Sequence, residues 1–178
     1  MKRAPKFIRI FLWSAVALIG VWLSGVRLFA FPGKSMMPTL MPDDYFVGMT
    51  GLWRYRTPQR FDMMIFDVPP TSKWAERKIP WMKRLVGLPG EHVRVSGAEL
   101  YINEQKVDSP MLHTGRTAGQ ESDVDVTLGA DEFFVLGDNL DHSFDDSRSM
   151  GKISKSLTRG FVAWVIHRPK IKEAEATH

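Results

Sequence analysis

The hydrophobic pattern divides the chain at about residue 31. From Ile10 to Val26 the sequence IFLWSAVALIGVWLSGV runs without a charge. Seventeen such residues lie at the short end of what spans a bilayer. Leu28 to Phe31 can extend the run past Arg27, whose stem can lie among apolar groups while its guanidinium reaches the headgroups. The same basic-then-apolar layout occurs in cleavable secretory leaders, which end on small residues at the first and third positions before the cut. Ala30 is preceded at that spacing by Leu28, and Val26 is itself too large, so the pattern favours a retained anchor.

Beyond Pro32 the pattern changes to short β-prone runs separated by turn residues, with no helical period longer than two turns. Strands are expected at Tyr45–Met49, Met63–Val68, Met82–Val86, His92–Ser96, Glu99–Ile102, Val124–Leu128, Glu132–Leu136 and Phe161–His167. Ser96-Gly97 and Asn103-Glu104 read as hairpin turns that make His92–Val107 a compact meander. Ser109 to Asp123 is polar and reads as a surface loop or small insertion, and the charged tail from Lys170 as frayed. The expected fold class is therefore mainly β with one N-terminal membrane helix. Its parts are a basic arm (1–9), a transmembrane anchor (10–31), one β domain with a single core (32–169) and a polar tail (170–178).

Charge refines this picture. The net charge of +4 resides in Lys2, Arg3, Lys6 and Arg9; without those four, 20 basic residues face 20 acidic ones. A neutral domain argues against a nucleic-acid partner, which needs a basic face on the domain itself. The basic arm also places the N-terminus in the cytoplasm and the β domain on the outer side of the plasma membrane. There is no cysteine, so disulfides, thiolate nucleophiles and zinc-thiolate sites are excluded. No His pair has the spacing of a zinc site, and the acidic run 138–146 lacks the glycine and glutamate positions of a calcium-binding loop. No metal or other cofactor is expected.

Three segments have compositions that suit chemistry better than packing. In Pro32-Gly33-Lys34-Ser35-Met36-Met37-Pro38-Thr39-Leu40 a serine sits in a restricted, non-helical backbone that can present its hydroxyl and its own N–H to a carbonyl; serines in such loops also form plain turns. In Trp81-Met82-Lys83-Arg84-Leu85 a lysine follows two large apolar residues on an expected strand. Turned inward, Lys83 would lose solvation of its ammonium form, and a drop of about 2 pKa units makes a lysine a useful base near neutral pH. Neighbours on a strand alternate faces, so one of Lys83 and Arg84 should look inward or sit at an edge. The third segment, Gly137-Asp138-Asn139 through Arg148, follows an apolar strand.

In this order, S-M-M-P-T (35–39), F-D-M-M-I-F (61–66), K-R-L-V-G-L-P-G-E (83–91), G-D-N (137–139) and D-S-R (146–148) resemble the bacterial type I signal peptidases. The resemblance implies an antiparallel β catalytic domain lying against the membrane. It implies a serine endopeptidase that removes signal peptides from translocated preproteins after small-x-small sites. Ser35 would be the nucleophile and Lys83 the general base, with Ser143 orienting the lysine by a hydrogen bond and Asp146 with Arg148 as a supporting ion pair. Phe31, Pro32, Met36, Leu40, Ile65, Trp81 and Met82 would line the substrate pockets. The implied partners are signal-peptide-bearing preproteins, or a pilin in a dedicated conjugative peptidase, together with the lipid bilayer. An inactive binding module and a Ser–His hydrolase using His142 or His92 are the competing readings.

The chain departs from that family's pattern at three points. Phe61 stands where a glycine is usual, Gly33 where a hydroxyl residue is frequent, and one extra residue separates Ser143 from Asp146-Ser147-Arg148. The extra residue leaves open whether Asp145 or Asp146 pairs with Arg148. Gly33 has two readings, a missing second donor to the oxyanion or a position that needs a positive φ.

Overall fold

A computed structural model of the chain describes residues 5–76, 79–97, 99–109 and 123–169. The loop expected at Ser109 to Asp123 falls largely outside the described residues, as does the tail from residue 170.

The chain begins with helix α1, Lys6–Ser24. It ends on Gly25, which takes the left-handed conformation (φ 67°) that closes a helix at little cost only for glycine. Strand β1, Val26–Phe31, follows at once. The apolar run expected as one anchor over 10–31 is thus a helix and a strand, divided at Gly25. Lys6 and Arg9 lie in the first turn of α1, leaving Ile10–Ser24 uncharged. Fifteen residues give about 22 Å of helix against a hydrocarbon layer of ~30 Å. Among the described residues, no helix is long and apolar enough to cross a membrane.

The remaining strands are β2 (Asp44–Met49), β3 (Met63–Phe66), β4 (Trp81–Gly87), β5 (His92–Ser96), β6 (Glu99–Ile102), β7 (Gln105–Lys106), β8 (Val124–Thr127), β9 (Glu132–Leu136), β10 (Ile153–Ser154) and β11 (Thr158–Ile166). They form a seven-stranded sheet, ordered β1-β2-β11-β3-β4-β9-β10, and a four-stranded sheet, ordered β7-β6-β5-β8, with every pairing antiparallel. A short helix α2, Ser147–Met150, is capped by the Asp146 carboxylate, which accepts from the Arg148 amide. The mainly β class holds, and β1 and β10 are strands that the sequence pattern did not suggest. Asn103 and Glu104 both have positive φ (49° and 67°), the conformation of a type I′ turn, and close the β6–β7 hairpin.

The single core expected from the chain length is instead three packed clusters. One joins the small sheet to the large through Val86, Val93, Leu100, Leu128, Phe134 and Leu136. A second, around Met64, Phe66, Leu85, Phe133 and Val135, lies under α2 and β10. The third gathers Phe31, Met36, Leu40, Phe46, Ile65 and Met82. Strand β4 contributes to all three, so side chains on both of its faces are covered.

Candidate active site

Lys83 and Arg84 occupy the centre of β4 and are both almost wholly buried, at 5% and 4% exposure. The alternation that was to send one of them inward sends them to opposite faces of a strand with no solvent face. Arg84 is fully partnered. Its guanidinium makes a two-pronged ion pair with buried Asp138 (Nε–Oδ1 2.9 Å, Nη2–Oδ2 2.5 Å) and donates to the Phe61 carbonyl (2.7 Å) and the Thr39 hydroxyl (3.4 Å). A buried charge is tolerable when paired and hydrogen-bonded in this way.

Lys83 has a different environment. Among the described residues its hydrogen-bond partner is the Ser35 hydroxyl, Nζ to Oγ 2.7 Å, and no carboxylate lies within ion-pair distance. Burial disfavours its ammonium form and lowers its pKa from 10.5 to about 8; the charges of Asp146, Asp145 and Asp138 oppose that fall, and Arg148 adds to it.

Ser35 is held by the segment that follows β9. The Asn139 amide donates to the Ser35 carbonyl (3.0 Å). This approach needs Gly137, because a Cβ there would stand 2.6 Å from the Ser35 carbonyl oxygen and 2.3 Å from Ser143 Oγ. The Gly-Asp-Asn run thus supplies a close approach, a counter-ion for Arg84 and an amide for the Ser35 carbonyl. None of these three roles was assigned from the sequence, although a glycine directly after a buried strand signals the first. The Ser35 amide itself donates no hydrogen bond among those described, and Ser35 is half-buried.

Of the supporting residues, Asp146 and Arg148 are paired and Ser143 sits differently from the expectation. Ser143, expected to orient Lys83, donates its hydroxyl to Asp146 Oδ2 (2.7 Å). Its hydrogen bond is therefore used on the ion pair, and the extra residue in this loop accompanies that shift. Asp146, not Asp145, pairs with Arg148 (2.9 Å); Arg148 also donates to the carbonyls of Ser143 and Leu140 and so ties the loop together. Asp145 turns away and accepts from Trp74 Nε1 (2.5 Å), with Lys73 Nζ at 3.7 Å. It thereby fastens the β3–β4 connection to the loop beside Lys83.

Of the expected pocket residues, Phe31, Met36, Leu40, Ile65 and Met82 belong to one cluster and are at most 9% exposed. They form a packed floor next to Ser35 more than an open wall. Pro32 is exposed, and Trp81 is half-buried against the Met64 cluster, with its ring 5.9 Å from Lys83 Nζ. Phe61, in place of the usual glycine, adopts the left-handed conformation (φ 71°), so the tight backbone geometry is kept at the cost of strain in a bulky residue. Gly33 does not have a positive φ, which removes that explanation for it; a Cβ there would meet the Phe31 ring at 3.1 Å.

Neither histidine of the competing hydrolase reading reaches Ser35. His92 lies on the small sheet between Glu104 and Asp125, and His142 is exposed beside Asn139. Among the described residues no group of His, Asp and Glu has the arrangement of a metal site.

The comparison with known proteins agrees with the motif order. The family model described as signal peptidase, peptidase S26 matches residues 4–166. The chain belongs to that family and is thereby a peptidase. It is 31% identical over 178 residues to a signal peptidase I of Bacillus licheniformis, an alignment covering 89% of each chain. A probable signal peptidase I-2 of Synechocystis sp. is 32% identical over 152 residues, covering 81% of this chain and 68% of the relative. Among solved structures, a signal peptidase I from Enterococcus faecalis V583 shares 30% identity and a TM-score of 0.49, covering 60% of this chain and 97% of that one.

Proposed function

We propose that the protein removes signal peptides from translocated preproteins, with Ser35 as nucleophile and Lys83 as general base. The observation that carries this reading is the 2.7 Å contact between Lys83 Nζ and Ser35 Oγ at a lysine denied solvent and any direct carboxylate partner. In its neutral form Lys83 accepts the Ser35 proton as Oγ attacks the scissile carbonyl. The resulting ammonium then protonates the leaving amine, and a water activated by the same lysine hydrolyses the acyl-enzyme. The Ser35 amide is free to donate to the developing oxyanion. Asp146, Arg148 and Ser143 position the loop around the lysine. Phe31, Pro32, Met36, Leu40, Ile65, Trp81 and Met82 set the floor and rim that confine the residues before the cut to small side chains.

The site operates at a membrane surface in this proposal. Phe7, Phe11, Trp13, Leu18 and Trp22 of α1 are each about 70% exposed, which in water would be an aggregation hazard. On the large sheet, Leu28, Val47 and Trp164 lie in register across three strands, and Leu28 and Trp164 are 63% and 71% exposed. Helix α1 enters the lipid with Lys6 and Arg9 reaching back to the inner headgroups along their stems, and the residues after Gly25 face outward. No feature of the site favours a pilin-dedicated enzyme.

The test is cleavage of a preprotein by the full chain in detergent. Wild type cleaves, whereas Ser35→Ala, Lys83→Ala and Lys83→Arg do not, since a guanidinium cannot act as a base. His142→Ala retains activity; if it is as inactive as Ser35→Ala, the Ser–Lys assignment is wrong.

A further inference from the structure

The large sheet carries a cavity of about 550 Å³ that continues the packed floor beside Ser35. Ile65, in its lining, belongs to the cluster of Phe31, Met36, Leu40 and Met82, and Phe29 packs against that cluster. The two side chains meet over Gly48 of β2, where a Cβ would stand 2.6 Å from Ile65 Cδ1 and 2.8 Å from the Phe29 ring. Two residues further from Ser35 along each strand, Phe29 is followed by Arg27 and Ile65 by Asp67, and both line the same cavity with Pro80 and Arg159. Successive side chains of a strand point to opposite faces, so Arg27, Phe29 and Phe31 share one face of β1 and Leu28 takes the other. Leu28 lies on the face proposed to meet lipid, and Arg27 on the face proposed to meet substrate.

The chemistry along this face changes with distance from the cut. Near Ser35 it is apolar and closely packed. At the far end Arg27 has no hydrogen-bond or ion-pair partner among the described residues. Arg159 engages Asp67 through Nε (2.6 Å), and its two terminal nitrogens have no described partner. Two arginines against one aspartate leave this end with one net positive charge. A guanidinium with free terminal nitrogens grips a carboxylate bidentately, so the complementary group is an acidic side chain. A strand rises about 3.3 Å per residue, which puts Arg27 about 13 Å upstream of Phe31. A peptide extended along the same face keeps that step. Four residues beyond its small first and third residues before the cut come the fifth and seventh, whose side chains face the sheet, while the sixth points away.

We infer that the far end of this cavity is an acidic-residue subsite: Arg27, with Arg159, binds an Asp or Glu at the fifth or seventh position before the scissile bond. The protein therefore selects preproteins that carry a carboxylate there. This inference rests on the peptidase reading proposed above.

The experiment measures kcat/KM for the full chain in neutral detergent on a set of peptides with one small-x-small site and Glu, Gln or Lys at the fifth, sixth or seventh position before it. With wild type, Glu at the fifth or seventh position is cleaved about tenfold faster than Lys, with Gln between them, and the preference shrinks as salt is raised. At the sixth position the three are within about twofold. The Glu-to-Lys ratio is read within each variant, so a general loss of activity or folded protein cancels from it. Arg27→Glu inverts that ratio, Arg159→Gln lowers it several-fold, and Lys106→Gln, an equal kind of charge loss on the small sheet, leaves it unchanged. A wild-type ratio near one, an equal preference at the sixth position, or an unaltered ratio in Arg27→Glu overturns the subsite. Cleavage of all the peptides at equal rates defeats the subsite alone, whereas cleavage of none defeats the peptidase reading and the subsite together.

Discussion

Lys83 and Arg84 are neighbours on one strand and equally buried, yet their surroundings are opposite. Arg84 faces Asp138, a main-chain carbonyl and a hydroxyl. Lys83 faces a serine hydroxyl, with the nearest carboxylates, Asp145 and Asp146, engaged by Trp74, Lys73, Ser143 and Arg148. One face of β4 is built to keep a cation charged, and the other to make charge expensive. The difference shows how a sheet separates a paired cation from a desolvated amine across a single peptide bond: by which of them is given a counter-ion.

The largest effect that tests this contrast is on activity. Lys83→Met should lower kcat/KM for preprotein cleavage by about 10⁴-fold or more. The same variant should be more stable than wild type at neutral pH. The lysine's pKa is lowered from 10.5 to about 8, so holding it buried costs about 3 kcal/mol below pH 8. Between those values the unfolded chain binds the proton that the native one has released, so wild-type stability rises with pH and the advantage of Lys83→Met disappears above about pH 10.5. Thermal melts at pH 7 and pH 10.5 measure this; a destabilised Lys83→Met at pH 7 would show that the lysine is not desolvated. In wild type the activity should climb with an inflection near pH 8.

Arg84→Met should do the reverse, lowering stability by about 3–5 kcal/mol because it leaves Asp138 buried without its partner. Urea titration of that variant beside Arg84→Met/Asp138→Leu checks the cause, since the double change should recover much of the loss.

A smaller effect belongs to Asp145. Asp145→Asn keeps an acceptor for Trp74 but removes a negative charge that raises the Lys83 pKa, so the acid limb of the pH–rate profile should move to lower pH. An upward movement would contradict the sign. The smallest effect is expected at Gly33. Its backbone is not left-handed and its added Cβ meets only the edge of the Phe31 ring, so Gly33→Ser should keep kcat within about tenfold of wild type. A larger fall in a variant with an unchanged melt would mean that the Phe31 ring cannot yield.

The positions of Ser35 and Lys83 could be read from local motifs because each sits in an unusual dipeptide or tripeptide setting. Their surroundings could not. The alternation argument for Lys83 and Arg84 assumes a sheet with one wet face, whereas β4 is sandwiched by clusters whose members come from as far along the chain as Phe161. Strand β1 was absorbed into the apolar run before it because an exposed apolar edge strand and a lipid-facing helix have the same composition; Gly25 was the sole local sign of the break. The role of Ser143 was implied by the resemblance alone, and in the fold its hydroxyl goes to Asp146. The pocket residues were implied by the resemblance, and packing makes most of them floor.

The junction between α1 and β1 has a mechanical consequence. It is one residue long, its carbonyl is gripped twice by Thr50, and a Cβ at Gly25 would stand 2.2 Å from the Gly51 nitrogen. There is no slack here to act as a tether. With α1 seated in lipid as proposed, the six residues of β1 become a rigid link that fixes the height of Ser35 relative to the bilayer. The protein then works as a depth gauge: a substrate is cut where its chain passes that height, and the length of its own membrane segment decides which bond arrives there.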